Sequence, residues 1–439
     1  PHSIFKNSYK LKAGHYIEID LKSQNFEETK YWDVVDFYNK PKLDISQDEA
    51  IEKTEELLKS SFEYRMVSDV PVGVFLSGGY DSSVVTAILQ SGRSEKLNTF
   101  TIGFKEKGFD EAPYAKEVAK YLGTNHTEYY CTQKDALEII PKLCELYDEP
   151  FGDSSAIPTT LVSALARKYV TVSLSADGGD EIFAGYSKYT TTMQYFNKFN
   201  SVPKSIKSLI SFGMDNINPR NIPILNKTYN FATRYEKINA ILKAKNSVEA
   251  MKYTSEYFTK KERDKLLKLG FDDLVTNFDI KVADTNDEIN QMLAIDYKTY
   301  MVDDILTKVD RATMSVSLEG REPLLDYRLI EFVSQLPSNL KYKNGDKKWL
   351  LKQITHKYLP KKMMDRPKQG FGVPLTEWFR DELKEYFMIY LDEKRIEKEG
   401  LFNPKEIVKL RDSYLSGNKE NVQKLWFLLM FEMWYEKWM

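Results

Sequence analysis

Six residues, Ser77-Gly78-Gly79-Tyr80-Asp81-Ser82, have types and spacing suited to chemistry on a phosphate. The paired glycines tolerate positive φ and let the backbone come close to a ligand. Successive N–H groups in such a turn form a concave anion site, and a helix beginning just after it adds partial positive charge. Ser77 and Ser82 can donate hydroxyl hydrogen bonds to phosphate oxygens. Asp81 would repel a bare phosphate, so its presence argues for a bridging Mg²⁺. The reading is a pyrophosphate cradle. A second turn, Ala176-Asp177-Gly178-Gly179-Asp180-Glu181, sets three carboxylates among glycines, which is unfavourable unless something cationic arrives. If both turns share one sheet edge, Asp81 and Asp180 can hold Mg²⁺ against the phosphates of ATP. A lone Gly-Gly would read as a plain strand–helix connection, but strand, Ser-Gly-Gly-x-Asp-Ser and helix in register favour the anion site; the second turn, taken alone, reads as a solvated acidic loop. Neither the Walker A nor the Rossmann glycine spacing is present.

These turns need elements that deliver them to one place. Residues 72–76 are a short apolar run suited to a strand buried on both faces, and from Ser83 the apolar positions switch to helical spacing. Further β-rich runs at 98–104, 126–131 and 169–175 alternate with helical patterns at 111–122, 135–147 and 159–168. The alternation predicts an α/β fold with a doubly wound parallel sheet, whose ligands sit beyond the carboxyl ends of the strands. Residues 1–40 read as hairpins around Ala13-Gly14, the tail of a domain whose body lies outside the chain. Ser46 to Glu49 is a capping box opening a helix through Ser61. The expected organisation is therefore residues 1–40 as residual hairpins and 41–439 as one catalytic domain, with an α/β core over 41–190 and a mostly helical part over 191–439. Within the latter, 201–225 reads as a surface excursion, and the chain from Ile289 onward as almost wholly helical.

Composition narrows the class. The 439 residues are 42% hydrophobic and 29% charged, as in an ordinary globular protein. A formal net charge of −2 gives no support to a nucleic-acid-binding surface. Cys131 and Cys144 form no metal-ligand spacing and no disulfide framework, which fits a reducing cytoplasm. No run approaches the ~20 apolar residues of a membrane span, so no membrane partner is expected. No signal peptide is recognisable, and the chain opens at Pro1 rather than methionine, as a fragment would.

The 77–82 loop resembles the PP-loop of the N-type ATP pyrophosphatases, which cleave ATP between its α and β phosphates. Four further stretches, 174–186, 308–314, 319–326 and 366–374, together with that loop resemble the synthetase domain of glutamine-hydrolysing, class B asparagine synthetases, in the family order. Residues 1–40 resemble the last hairpins of that family's glutaminase domain. The resemblance implies a fold of the PP-loop pyrophosphatase type and ATP with Mg²⁺ as cofactors. It implies that Ser77, Gly78, Gly79 and Ser82 hold pyrophosphate, that Leu76 and Ile102 flank adenine, that Ser175 and Ala176 complete the nucleotide site, and that Asp81 and Asp180 ligate metal. Lys368 would stabilise charge at the α-phosphate, and Asp177 would engage the acceptor or its acyl-adenylate. No role is given to Lys308 or Arg321 beyond structural ion pairing.

The sequence departs from the family at Asp177, a methylene shorter than the usual glutamate, at Ala176 and Gly179, and at Glu322, where an apolar residue is usual. The Asp-Gly-Gly-Asp-Glu form is similar to a branch associated with surface polysaccharides, in which the amidated acid is a sugar. The expectation is an asparagine synthetase-type amidoligase. It takes aspartate or, alternatively, a uronic acid or other carboxylated metabolite. Its ammonia comes from glutamine through a glutaminase domain absent from this chain, and the assembly expected is a homodimer. Two rivals stand beside it. A nucleic-acid-modifying PP-loop enzyme would want catalytic cysteines and a basic tract. A binding module without turnover would need neither Asp81, Asp180 nor Lys368.

Overall fold

The computed structural model describes residues 2–106, 108–217, 219, 222, 231–270, 275–280, 282, 287–366, 372–380 and 383–439. The chain opens with a hairpin, β1 (His15–Ile19) and β2 (Phe26–Lys30), paired antiparallel with His15 opposite Lys30. The reversal falls at residues 20–25 rather than at Ala13-Gly14. There Asp20 accepts from the backbone N–H groups of Lys22 and Ser23, the side-chain-to-backbone closure that favours Asp in turns.

At the centre lies a parallel sheet of β3 (Val72–Phe75), β4 (Asn98–Phe104), β5 (Asn125–Cys131), β6 (Val172–Leu174) and β7 (Glu319–Arg321). Its order is β5-β4-β3-β6-β7, every neighbouring pair parallel. This bears out the expected α/β sheet and adds a fifth strand from beyond residue 190. At three residues β7 is too short to show a two-residue period, and so it was hidden in a helical reading. Helices α1 (Gln47–Met66), α2 (Tyr80–Ser91), α3 (Ala112–Leu122), α4 (Gln133–Leu146) and α5 (Ala156–Arg167) surround the sheet. The Ser46–Glu49 capping box is formed, and α1 runs on to Met66.

The two large cores explain why these strands are apolar throughout. Val74 and Leu174 pack with Val84 and Val85 of α2. Phe100, Ile102 and Phe104 pack with Ile157 and Val162 of α5 and with Trp426. Both faces are covered, as a parallel sheet requires.

A helical lobe follows, with α6 (Ser187–Asn200), α7 (Lys204–Asn216), α8 (Phe231–Lys243) and α9 (Ser247–Ser255). Helix α10 (Thr307–Met314) then packs on α5. A small hairpin, β8 (Tyr342–Lys343) and β9 (Asp346–Lys347), leads into α11 (Trp349–Thr355), which packs on α2. The last helix, α12 (Val422–Trp438), donates from its Trp426 and Trp434 indoles to the carbonyls of Gly152 and Asp148, pinning the loop that leads to Asp153. Among the described residues no helix is long and apolar enough to cross a membrane.

Candidate active site

Strand order decides where the two turns meet. β3 lies between β4 and β6, so consecutive connections leave it in opposite directions, and the crevice at such a reversal is where open α/β sheets bind ligands. Leaving β3, the chain reaches Gly78 at φ 74°. A Cβ there would also stand 2.7 Å from the Ala115 nitrogen, so the position needs glycine twice over. Helix α2 begins at Tyr80, and no side chain caps its first turn, which leaves N–H groups for a ligand. The Ser77 and Ser82 hydroxyls lie 3.1 Å apart, and Ser82 Oγ accepts from the Ser77 N–H at 3.1 Å.

The second turn leaves β6 directly beside it. Gly178, at φ 97°, reverses the chain so that Asp180 returns toward α2. A Cβ on Gly179 would collide with the Asp81 carboxylate, so the two turns touch only because that residue has none. The Asp81 and Asp180 carboxylates close on one cation, the Lys348 ammonium. It pairs with Asp81 Oδ2 and lies 2.7 Å from Asp180 Oδ1. Burial opposes the charge on Lys348, but Asp180 and Asp81 outweigh it and hold its pKa above the usual lysine value.

Lys348 owes its place to the β8–β9 hairpin. Asn344 and Gly345 both take positive φ (52° and 88°), as a two-residue type I′ turn requires. Lys348 itself sits at φ 56°, an uncommon conformation for a non-glycine residue that aims its side chain inward.

A second lysine-centred group adjoins the first. Lys308 Nζ lies 2.9 Å from Asp153 Oδ2 and 2.9 Å from Ser155 Oγ. Its burial is offset by Asp153 and then Asp177, which raise its pKa. Asp177 accepts from Ser175 Oγ at 2.5 Å. Burial lifts the Asp177 pKa, and Lys308 pulls it back without cancelling the rise. Asp304, beside Asp153, is held above the carboxylate range by burial and by that neighbour. Burial, then Asp180, raises Glu181 to about 7, and the Tyr186 hydroxyl donates to it at 2.7 Å. Glu322, the family's apolar position, is likewise raised to about 7 by burial and by Asp177.

One cavity of about 640 Å³ is lined by Lys348, Lys308, their partners Asp81, Asp180, Asp153 and Asp177, and Glu181. Leu76, Ser77, Gly78, Gly79, Asp81, Ser82, Ile102, Ser175, Ala176, Asp177 and Asp180 all line it. Lys368 lies outside the described residues, and its flanks Arg366 and Gly372 line the cavity. Arg321 is on the sheet edge, donating to the carbonyls of Arg65 and Val67 at 2.7 and 2.8 Å. Lys348 escaped the sequence reading, although Asn344-Gly345 is a strong hairpin signal that could have drawn attention to the residues after it. Asp153, Ser154 and Tyr300 were also missed, since nothing in their local pattern announces a site.

The pair Asp81 and Asp180 fits a divalent cation. Their oxygens already converge on one positive charge, and hard oxygen ligands suit Mg²⁺, which commonly takes one or two carboxylates with phosphate and water. Among the described residues no group of three or more His, Cys, Asp or Glu side chains is arranged to hold a metal, so phosphate would have to complete the shell.

A second cavity, of about 1400 Å³, shares Asp153, Ser154, Tyr186 and Tyr300 with the first. Its walls, among the described residues, include Tyr235, Tyr253, Tyr257 and Phe427 with several lysines.

The chain is similar in sequence to several known proteins. Asparagine synthetase (glutamine-hydrolysing) 1 of Bacillus subtilis is 29% identical over 400 residues, covering 90% of this chain and 60% of that protein. Asparagine synthetase (glutamine-hydrolysing) 2 of Oryza sativa subsp. japonica is 42% identical over 147 residues, 30% of this chain and 24% of its own length. Amidase chry2 of Gibberella zeae is 24% identical over 413 residues, 86% of this chain and 60% of that one. The chain spans about 60% of the length of the curated relatives it matches. With the asparagine synthase model matching residues 53–436, from within α1 to the end of α12, the chain belongs to the asparagine synthase family.

Proposed function

We propose that this chain is the synthetase part of an ATP-dependent, AMP-forming amidoligase. A carboxylate attacks the α-phosphate of ATP, pyrophosphate leaves, and ammonia then displaces AMP from the acyl-adenylate to give the amide. Activation is needed because a carboxylate is a poor electrophile and hydroxide a poor leaving group, whereas AMP leaves readily. The observation that carries the reading is the convergence of Asp81 and Asp180 on one cation beside the uncapped start of α2, where a nucleotide's phosphates would lie.

In this reading Gly78, Gly79, Ser77 and Ser82 bind the departing pyrophosphate, and Leu76 and Ile102 flank the adenine. Ser175 and Ala176 border the nucleotide. Asp81 and Asp180 would hold Mg²⁺, which would supply charge neutralisation at the phosphates. Lys348 now occupies the place between these carboxylates. Lys368 stabilises charge developing at the α-phosphate. Asp177, oriented by Ser175 and Lys308, faces the acceptor. Ammonia comes from glutamine through a glutaminase domain preceding this chain.

Aspartate is the first acceptor to test, since relatives are named for its amide. A larger carboxylate is the second reading, favoured by the 1400 Å³ cavity joined to the site, which exceeds the roughly 300–1,000 Å³ of ordinary small-molecule pockets. The test is product analysis with ATP, Mg²⁺ and ammonium across aspartate and sugar acids. AMP and pyrophosphate are expected in equal amounts, only with Mg²⁺, and with no glutamate released from glutamine by this chain. ADP and phosphate as the coupled products would sink the assignment.

A further inference from the structure

Helix α7 is built inside out. Its apolar residues Ile206, Leu209, Ile210 and Phe212 are 48, 71, 44 and 69% exposed. Its inner side is polar: Ser211, only 6% exposed, donates to Asn239 of α8 at 2.8 Å. Asn239 and Lys243 of α8 in turn bind Asp215 at 2.8 and 2.7 Å, and the Tyr235 hydroxyl donates to the Met214 carbonyl. A helix held to its neighbour by hydrogen bonds, with a stripe of large apolar side chains turned to water, is the reverse of the arrangement that stabilises a surface helix. Contiguous exposed apolar patches of this kind mark interaction surfaces. On α6, which precedes it, Tyr195 and Phe199 stack with ring centroids 6.2 Å apart, and Tyr195 is itself exposed.

Charge says what covers the stripe. The chain carries 65 acidic residues, yet none falls between Glu181 and Asp215, where there are four lysines. Lys188 is taken up by buried Asp296. Lys198 and Lys204 are exposed, and Lys207 reaches back to Asn200 at 3.3 Å, which ties the first turn of α7 to the end of α6. Residues 182–214 therefore present apolar and aromatic side chains with cations, and Asp215 at the end of α7 is neutralised by Lys243 at 2.7 Å. That is the composition of a helix lying in a membrane interface, where apolar residues enter the acyl boundary and lysines meet anionic headgroups. A spanning segment is not required for such contact.

We propose that α7 docks this protein on the surface of an anionic lipid bilayer. Residues 214–217, at the end of the same helix, line the 1400 Å³ cavity, so docking would bring that cavity to the membrane plane.

The test is flotation of the purified chain with phosphatidylcholine vesicles, with and without phosphatidylglycerol, at low and high salt. Binding is expected only with the anionic lipid. It should weaken with salt and fall about tenfold or more in Leu209→Asp/Phe212→Asp. Lys198→Gln/Lys204→Gln should lose the lipid-charge dependence first. All the substituted residues are exposed, so thermal melts should match wild type. Equal binding to neutral vesicles, or binding that survives Leu209→Asp/Phe212→Asp, would overturn the proposal. So would absence of vesicle binding, including the case of self-association abolished by the same variant, which would assign the stripe to a second copy.

Discussion

Two groups of carboxylates in this protein gather around cations in different surroundings. In the cleft, lysines stand between carboxylates: Lys348 between Asp81 and Asp180, Lys308 between Asp153 and Asp177. At the far end of the chain, Glu399, Glu432 and Glu436 share Arg395, whose nitrogens lie 3.0, 3.8 and 3.0 Å from them. Glu432 is fully buried, and burial followed by Glu399 raises its pKa. None of these glutamates lines the cleft cavity. Burial raises the pKa of Asp177 in the first group and of Glu432 in the second, and it is the first that lines the 640 Å³ cavity. Perturbed acidity therefore points to chemistry only where access accompanies it. In the cleft the lysines keep a cation locus ready; at the C-terminal helices the same desolvation lowers stability.

The comparison can be broken most sharply at Lys348. Lys348→Met leaves two carboxylates facing each other, and removing one member of a buried ion pair costs about 3–5 kcal/mol. Thermal melts in EDTA should show that loss, and Mg²⁺ should restore more stability to the variant than to wild type. Equal Mg²⁺ shifts in the two proteins would mean that Asp81 and Asp180 are not a cation site. Next in size, Lys368→Ala should cut turnover by on the order of 10²–10³-fold, as for loss of one preorganised donor. ATP affinity should change far less. Near-normal turnover would make Lys368 an ordinary solvated lysine.

Asp177→Glu sharpens the acceptor question. If aspartate is the acceptor, misplacing the carboxylate by about 1 Å should lower aspartate-dependent AMP formation on the order of 10²-fold. A wild type poor with aspartate and a variant that improves on it would favour the larger acid. The smallest effect belongs to the other cluster. Because the folded-state pKa of Glu432 is raised, its stability cost is absent at pH values below the unfolded carboxyl pKa. The cost grows as pH climbs from there toward the folded value. Glu432→Gln should therefore melt higher than wild type by about 2–4 °C near pH 8, with the gap closing toward pH 5. A constant or reversed gap would show that Glu432 is ionised and well paired in the folded protein.

Much of the fold was legible because it rests on local patterns. The apolar run 72–76, the glycine-serine turn and the amphipathic switch into α2 are adjacent in sequence, and they remain adjacent in the sheet. The acidic turn could be tied to them because parallel α/β sheets gather their carboxyl-end loops on one edge. What escaped depends on contacts that no local pattern encodes. β7 is identified by pairing with β6, not by its own three residues. Lys348 reaches the cleft through a hairpin turn and a left-handed residue, so its role is invisible in the string Lys347-Lys348-Trp349. The outward apolar face of α7 looked like a surface excursion because helical period alone does not say which side faces the protein.

Asp81 and Lys348 are 267 positions apart in the chain, and Asp180 comes from between them. No shorter piece contains the three together, so the locus has no local precursor. During synthesis, a nascent chain that has extruded the glycine loop, the whole of β6 and the acidic turn still presents two mutually repelling carboxylates. Their compensating ammonium arrives only once the chain has continued from Asp180 to Lys348. The neutralised locus is thus a property of a chain that has folded as far as Lys348, and shorter nascent chains do not have it.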